Sequence, residues 1–136
     1  MRRAAVIAAL AAAGLSAAGP AGAADPQAFQ TPSKNIRCMA FGGQLRCDML
    51  KLGNDAAKKP ASCEFDYGRS FGVTKNGSRG RRLCVSDAVD SGQPVIAYGR
   101  TWKRGGFTCR VRESGLRCSN AKGHGFELRI GRQRLF

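Results

Sequence analysis

His124 is the only histidine in a chain of 136 residues. It stands in Gly123-His124-Gly125-Phe126, where flanking glycines free the backbone around the ring. A histidine does acid–base chemistry when a nucleophile and an orienting carboxylate meet it. No Gly-x-Ser-x-Gly element accompanies it, so His124 reads as a residue that fixes a tight turn. Glu64 and Asp66 would project from one side of a strand. Paired carboxylates can hydrolyse glycosides, but among so many arginines they read as surface ion-pair partners. Asp87 and Asp90 do not make a calcium loop. No phosphate-cradling glycine loop opens a helix. The sequence therefore names no catalytic residue and no cofactor.

Sulfur is the more informative chemistry. Cys38, Cys47, Cys63, Cys84, Cys109 and Cys118 are even in number. They lack the Cys-x2-Cys spacing and Cys/His clustering of a zinc site, and no redox Cys-x-x-Cys occurs. A disulfide framework of an exported domain is the remaining reading. Cys38–Cys47 and Cys109–Cys118 span equal windows, and both read Cys-x6-Leu-Arg-Cys with glycine near the middle. The simplest cause is one local structure used twice.

That structure is a β-hairpin. Gly42-Gly43 in a two-residue turn sets Phe41 against Gln44, Met39 against Arg46 and Cys38 against Cys47. The cysteines then fall at a non-hydrogen-bonded pair, where Cα atoms come close enough for a bridge. Arg37 faces Asp48 as an opposite-charge pair, and Ile36, Cys38, Leu45, Cys47 and Met49 share the inner face. In the second window Glu113-Ser114-Gly115 turns, with a register open by one residue. Phe107, Cys109 and Val111 take one face, Thr108, Arg110 and Arg112 the other. Cys63 and Cys84 are left to pair.

Charge is the third signal. Lys and Arg number 23 against 9 Asp and Glu, for a net charge of +14. The basic residues gather as Lys58-Lys59, Arg79/Arg81/Arg82, Lys103-Arg104, Arg110/Arg112/Arg117 and Arg129/Arg132/Arg134. Trp102 and Phe107 sit beside Lys103-Arg104. The sequence expects a polyanion-binding surface from Arg79, Arg81, Arg82, Trp102, Lys103, Arg104, Arg110, Arg112 and Arg117. The competing reading is composition: Arg-rich, Ala-rich usage that merely keeps a domain dissolved.

The elements that must position these groups follow. Residues 1–23 read as a cleavable export signal: Met1-Arg2-Arg3, an Ala-rich apolar stretch, a Gly19-Pro20 break and Ala21-Gly22-Ala23. The stretch is too short to span a membrane, and no later segment is apolar enough. Removing residues 1–23 takes away two Arg and no acid, leaving a net charge of +12 on the remaining chain. Residues 24–33 read as an extended lead-in and residues 34–136 as one domain. Residues 51–60 read as a polar loop, Ser62–Tyr67 as an alternating stretch with Cys63, Phe65 and Tyr67 against Glu64 and Asp66, and Lys75–Gly80 as a loop. Leu83–Val85, Val95–Tyr98 and Phe126–Ile130 read as strands. Short strands with frequent turns predict an all-β fold, a small antiparallel barrel or sandwich stapled by three disulfides.

An ordered series of elements runs through the chain. It includes Phe29-x-Thr31-Pro32-Ser33-x-Asn35-Ile36-x-Cys38, Leu45-Arg46-Cys47 and Cys63-x-x-Asp66-Tyr67-Gly68. It continues through Cys84-x-x-Asp87 and Tyr98-Gly99 to Gly106-Phe107-x-Cys109, Gly115-Leu116-x-Cys118-x-Asn120 and Gly123-His124-Gly125-Phe126. This pattern resembles an uncharacterised family of small exported bacterial domains, a domain of unknown function, over nearly the whole chain after the leader. Tyr67 stands where the family more often has Trp. The resemblance implies an exported, disulfide-paired domain and singles out Asn35, Asn120, His124 and Phe126 without giving them a role. Three functions follow in decreasing order. The first is a non-enzymatic periplasmic or secreted domain that binds an anionic envelope component or other extracellular ligand. The second is a stapled inhibitor or effector of another protein. The third is an enzyme using His124.

Overall fold

The computed structural model describes residues 13–14 and 24–136. The export signal read over residues 1–23 falls, but for those two residues, outside the described part. Ten strands run β1 (Ala28–Gln30), β2 (Ile36–Phe41), β3 (Gln44–Met49), β4 (Asp66–Thr74), β5 (Arg81–Val85), β6 (Thr101–Arg104), β7 (Phe107–Arg112), β8 (Gly115–Asn120), β9 (Gly125–Arg129) and β10 (Arg132–Leu135). No helix occurs among the described residues, so none is long and apolar enough to cross a membrane. The strands form two antiparallel five-stranded sheets, β1-β2-β3-β4-β5 and β10-β9-β8-β7-β6. Each sheet is an uninterrupted meander, and the two pack as a sandwich around one core.

Both hairpins form as their spacing predicts. Gly42 and Gly43 turn with φ of 55° and 75°, the pair of positive angles that a type I′ hairpin needs. Cys38 faces Cys47 and Cys109 faces Cys118, with Cα separations of 4.0 and 4.1 Å. Arg112 faces Gly115 across a Glu113-Ser114 turn, which closes the open register. A Cβ on Gly115 would lie 2.1 Å from the Leu128 carbonyl oxygen, so only glycine fits there. Cys63 and Cys84 make the third bridge.

The repeat extends beyond the hairpins. Both cysteines of the first window reappear 71 residues on, 38 at 109 and 47 at 118, in identical registers. Phe29 faces Cys38 as Trp102 faces Cys109. Phe71 faces Cys47 as Phe126 faces Cys118. The counterparts then meet across the sandwich. The rings of Phe29 and Trp102 lie 4.8 Å apart, and those of Phe71 and Phe126 lie 6.3 Å apart. The sulfurs of Cys38, Cys47 and Cys118 fall within 4.8 Å of one another. Like meeting like is the signature of an isologous interface. The sandwich is thus a pseudo-two-fold pair of matching meanders within one chain.

Several expectations need correction. Residues 24–33 are not a lead-in outside the domain: β1 pairs with β2 and Phe29 is fully buried. One buried aromatic in a polar stretch gave too little periodicity to show this. Val95–Tyr98 is no strand; a single parallel bridge joins Val95 to Gln30, and Val95 and Tyr98 are exposed. Phe65 is exposed and precedes β4, whose nine residues include a bulge between Tyr67 and Phe71. Ile130 lies exposed in the β9–β10 turn. Arg37 does face Asp48 in register, but the Asp48 carboxylate is taken by Arg46, at 2.9 Å, from the same face of its own strand.

Candidate functional site

The two outer faces of the sandwich differ. On the first sheet, Arg46 and Asp48 point away from the core yet are buried. Residues 86–96 cover them as a strap. Asp87 accepts a hydrogen bond from Arg46 Nη1 at 2.8 Å, and the Val89 amide donates to Asp48 Oδ2 at 2.8 Å. Further along, the Gln30 amide donates to the Pro94 carbonyl and the Ile96 amide to the Gln30 carbonyl. Burial opposes the Arg46 charge, and the hydrogen bonds and charges of Asp48 and Asp87 outweigh it, holding its pKa above the usual value. The same Arg46 contact lowers the pKa of Asp87.

Among the described residues no such strap covers the second sheet, and its outer face is basic. Arg110 faces Arg117, Arg117 faces Glu127, and Glu127 faces Arg134, a row across four strands. Arg112 flanks this row at the hairpin tip, Arg129 and Arg132 face each other at the β9–β10 end, and Lys103 extends the face onto β6. All seven cations are exposed. Glu127 is their one acidic partner in the sheet. It lies 3.3 Å from Arg117, 3.2 Å from Arg129 and 3.5 Å from Arg134. The Phe136 ring lies under the Arg117 guanidinium at 4.1 Å, a cation–π contact that sets the plane of the fork. Arg110, Arg112, Arg117 and Arg129 border a cleft of about 250 Å³ with Ser114 and Glu127.

The first half keeps Arg46 in the place of Arg117 and Arg81 in the place of Arg134, but four other positions are not basic. Where the second sheet has Lys103, Arg110, Arg112 and Arg129, the first has Gln30, Met39, Phe41 and Thr74. Glu127 stands where the first half has Gly72. The basic face is therefore a property of one half, laid on a framework that does not require it.

The structure brings Lys103, Arg110, Arg112 and Arg117 onto this face and separates the other expected residues from it. Trp102 is not a surface aromatic: it is fully buried, and its indole Nε1 donates to the Pro26 carbonyl at 2.8 Å. Its neighbour Lys103 is polar because successive residues of β6 alternate sides; Arg104, on the side of Trp102, is exposed at the end of the strand. Arg104 turns to the Asp25 carbonyl instead. Arg81 and Arg82 belong to the other sheet, with Arg79 in the loop that leads into it, and Arg82 leans over the Phe71 ring at 5.7 Å. Arg129 joins the face at the end of β9, and Arg132 and Arg134 join it through β10, an Arg-rich strand with no alternating apolar pattern to reveal it.

The motif residues prove to be ties. Asn120 is buried. Its side-chain NH2 donates to the Thr74 and Gly77 carbonyls, and its Oδ1 accepts from the Lys122 and His124 amides. Asn120, not the histidine, fixes the tight turn. The hydrogen bonds of His124 among the described residues run through its backbone. Asn35 copies a ladder pair with Lys51, donating to its carbonyl and accepting from its amide. Gly125 admits no side chain, since a Cβ would lie 1.9 Å from the Cys118 carbonyl oxygen. Phe126 fills the core. The six cysteines are all bridged, so the sulfur cluster at the core offers no thiolate to a metal.

These features define a disulfide-stapled all-β sandwich of two matching meanders, one strapped and one bare and basic. The chain belongs to the Family of unknown function (DUF6636), whose model matches residues 5–136. No curated protein and no solved structure matches the chain. Three disulfides in so small a domain are the mark of chains that fold under oxidising conditions.

Proposed function

We propose that the protein is an exported, non-enzymatic domain that binds an anionic ligand of the envelope or extracellular space on the outer face of its second sheet. The observation that carries this reading is the opposition of Arg110 and Arg117 within a row compensated by Glu127 alone. Like charges set directly across a ladder destabilise it by roughly 0.2–1 kcal/mol. The fold does not demand the added arginine: Arg110 stands where the first half has Met39, and the first-half counterpart of Arg117, Arg46, is buried under its strap and paired with Asp48 and Asp87. An anion laid on the face relieves the repulsion and releases counterions. The export reading rests on the leader pattern of residues 1–23 and on the bridges.

The test is retention on heparin and on immobilised lipopolysaccharide against salt, with the oxidised protein. Retention is expected at low ionic strength and should fall steeply as salt rises. The pair Arg110→Glu and Arg112→Glu should abolish most of it, while Arg79→Glu and Arg81→Glu should shift it only slightly. Negligible retention of the wild type at low salt refutes the reading, as does equal loss in the two pairs.

A further inference from the structure

The geometry points to the cleft at the β7–β8 hairpin as a seat for a phosphoryl group, the anionic unit that the basic face would recognise. This rests on the face being a binding surface and specifies the ligand's chemistry. Four guanidinium groups, Arg110, Arg112, Arg117 and Arg129, border a space of about 250 Å³. That space is large enough for one phosphate ester or diphosphate. Two of the four, Arg117 and Arg129, are held by Glu127, which also lines the cleft, at 3.3 and 3.2 Å. Arg117 is also stacked on Phe136. Their forks are oriented before a ligand arrives, so little side-chain entropy is left to lose on binding.

Arg110 and Arg112 have no ion-pair partner among the described residues. They are the groups left to close on the anion. With one carboxylate set against four cations, the cleft carries an excess of three positive charges. A single carboxylate ligand would leave most of that excess uncompensated, and a phosphomonoester dianion or a diphosphate matches it better. Arginine rather than lysine at every cationic position suits an oxyanion, because each planar fork can donate two parallel N–H bonds to a phosphate or a carboxylate; the charge excess is what favours the phosphoryl group. The hydroxyl of Ser114 at the rim adds a neutral donor. Three of these residues replace Met39, Phe41 and Thr74 of the first half, and the fourth, Arg117, replaces an Arg46 already covered by its strap. The fold does not explain the cluster; a ligand does.

The phosphoryl group could belong to a lipid headgroup or to a soluble phosphate ester. The experiment is calorimetric titration of the oxidised protein with inorganic pyrophosphate and, separately, with citrate at equal ionic strength. Pyrophosphate should bind saturably, and citrate at least about tenfold more weakly. The pair Arg110→Ala and Arg112→Ala should cost pyrophosphate affinity about tenfold or more. Both residues are exposed, and losing Arg110 relieves its repulsion with Arg117, so the pair should unfold at or slightly above the wild-type temperature. Arg79→Ala with Arg81→Ala should leave the affinity unchanged. Co-sedimentation with phosphatidylcholine vesicles containing phosphatidic acid then separates the sources. Binding competed by pyrophosphate assigns the headgroup, and its absence beside saturable pyrophosphate binding assigns a soluble ester. Citrate binding as tightly as pyrophosphate overturns the proposal, as does an unaffected Arg110/Arg112 variant. In either case salt-sensitive heparin retention would survive if only the wider basic face is correct.

Discussion

The sulfur of Cys47, in the first half of the chain, lies within 4.8 Å of the sulfur of Cys118, in the second. The two hairpin staples therefore touch at the pseudo-two-fold centre of the core, and each is part of the other's packing. Removing Cys38–Cys47 or Cys109–Cys118 by paired alanine substitution should cost about 2–4 kcal/mol. The costs should not add. Removing both staples should depart from the sum by at least about 0.5 kcal/mol, because contacting groups couple. The Cys63–Cys84 pair lies outside this contact, and its removal should add to either within about 0.5 kcal/mol. Urea unfolding of the single and combined variants reads the cycle; full additivity between the hairpin staples would contradict their contact.

Access separates the third bridge from the other two. Cys84 is exposed, whereas Cys38, Cys47, Cys109 and Cys118 show no exposed surface. Thiol–disulfide exchange needs a thiolate to reach a sulfur. Dithiothreitol under native conditions should reduce Cys63–Cys84 first, with the hairpin bridges following only on unfolding. Alkylation and mass mapping over time checks the order, and early labelling of Cys47 or Cys118 would be the contrary result.

Asn120 supplies four hydrogen bonds from one buried side chain. Asn120→Asp keeps the shape but loses both donors, stranding the Thr74 and Gly77 carbonyls beside a charge. It should destabilise by about 2–4 kcal/mol. His124→Ala should cost less than about 1 kcal/mol, since the bonds at that position are made by the backbone. Thermal unfolding of the two variants tests the ranking. A larger loss from His124→Ala would return the turn to the imidazole.

What the sequence shows and hides follows from where the information lies. The hairpins were legible because Cys38, Gly42-Gly43 and Cys47 constrain one another locally, and the echo at Cys109–Cys118 repeats the constraint. The pseudo-symmetry beyond them was not. Its other matched pairs, Phe29 with Trp102 and Phe71 with Phe126, sit at different sequence offsets from each other and unite only through sheet register. Trp102 looked like a surface aromatic because Lys103 and Arg104 flank it; strand alternation puts a core residue beside charged ones. The basic face was half legible. Arg110, Arg112 and Arg117 share a hairpin side that alternation reveals, and Arg129 follows the same rule on β9, but Arg132 and Arg134 join through β10, which carries no apolar rhythm. The strap was invisible, since the Arg46–Asp87 contact spans 41 residues without a periodic pattern.

That contact gives the strap a defined response to acid. Asp87 donates its negative charge to Arg46, which also holds Asp48, and Arg46 lowers the Asp87 pKa. A carboxylate whose pKa is lower folded than unfolded contributes stability above its unfolded value, about 3.9, and loses it as pH falls through the folded value. Wild type should therefore exceed Asp87→Asn in urea midpoint by a constant amount from pH 7 down to about 5. The gap should close below about pH 4 as Asp87 takes up its proton. Arg46→Ala is the harsher change, because it strands Asp48 buried without a counter-charge; it should cost about 3–5 kcal/mol at neutral pH. Urea midpoints measured from pH 7 to 2.5 check both. A wild-type advantage over Asp87→Asn that persists unchanged at the acid end would mean that Val89 and the Gln30 bridge, rather than the Asp87 charge, hold the strap in place.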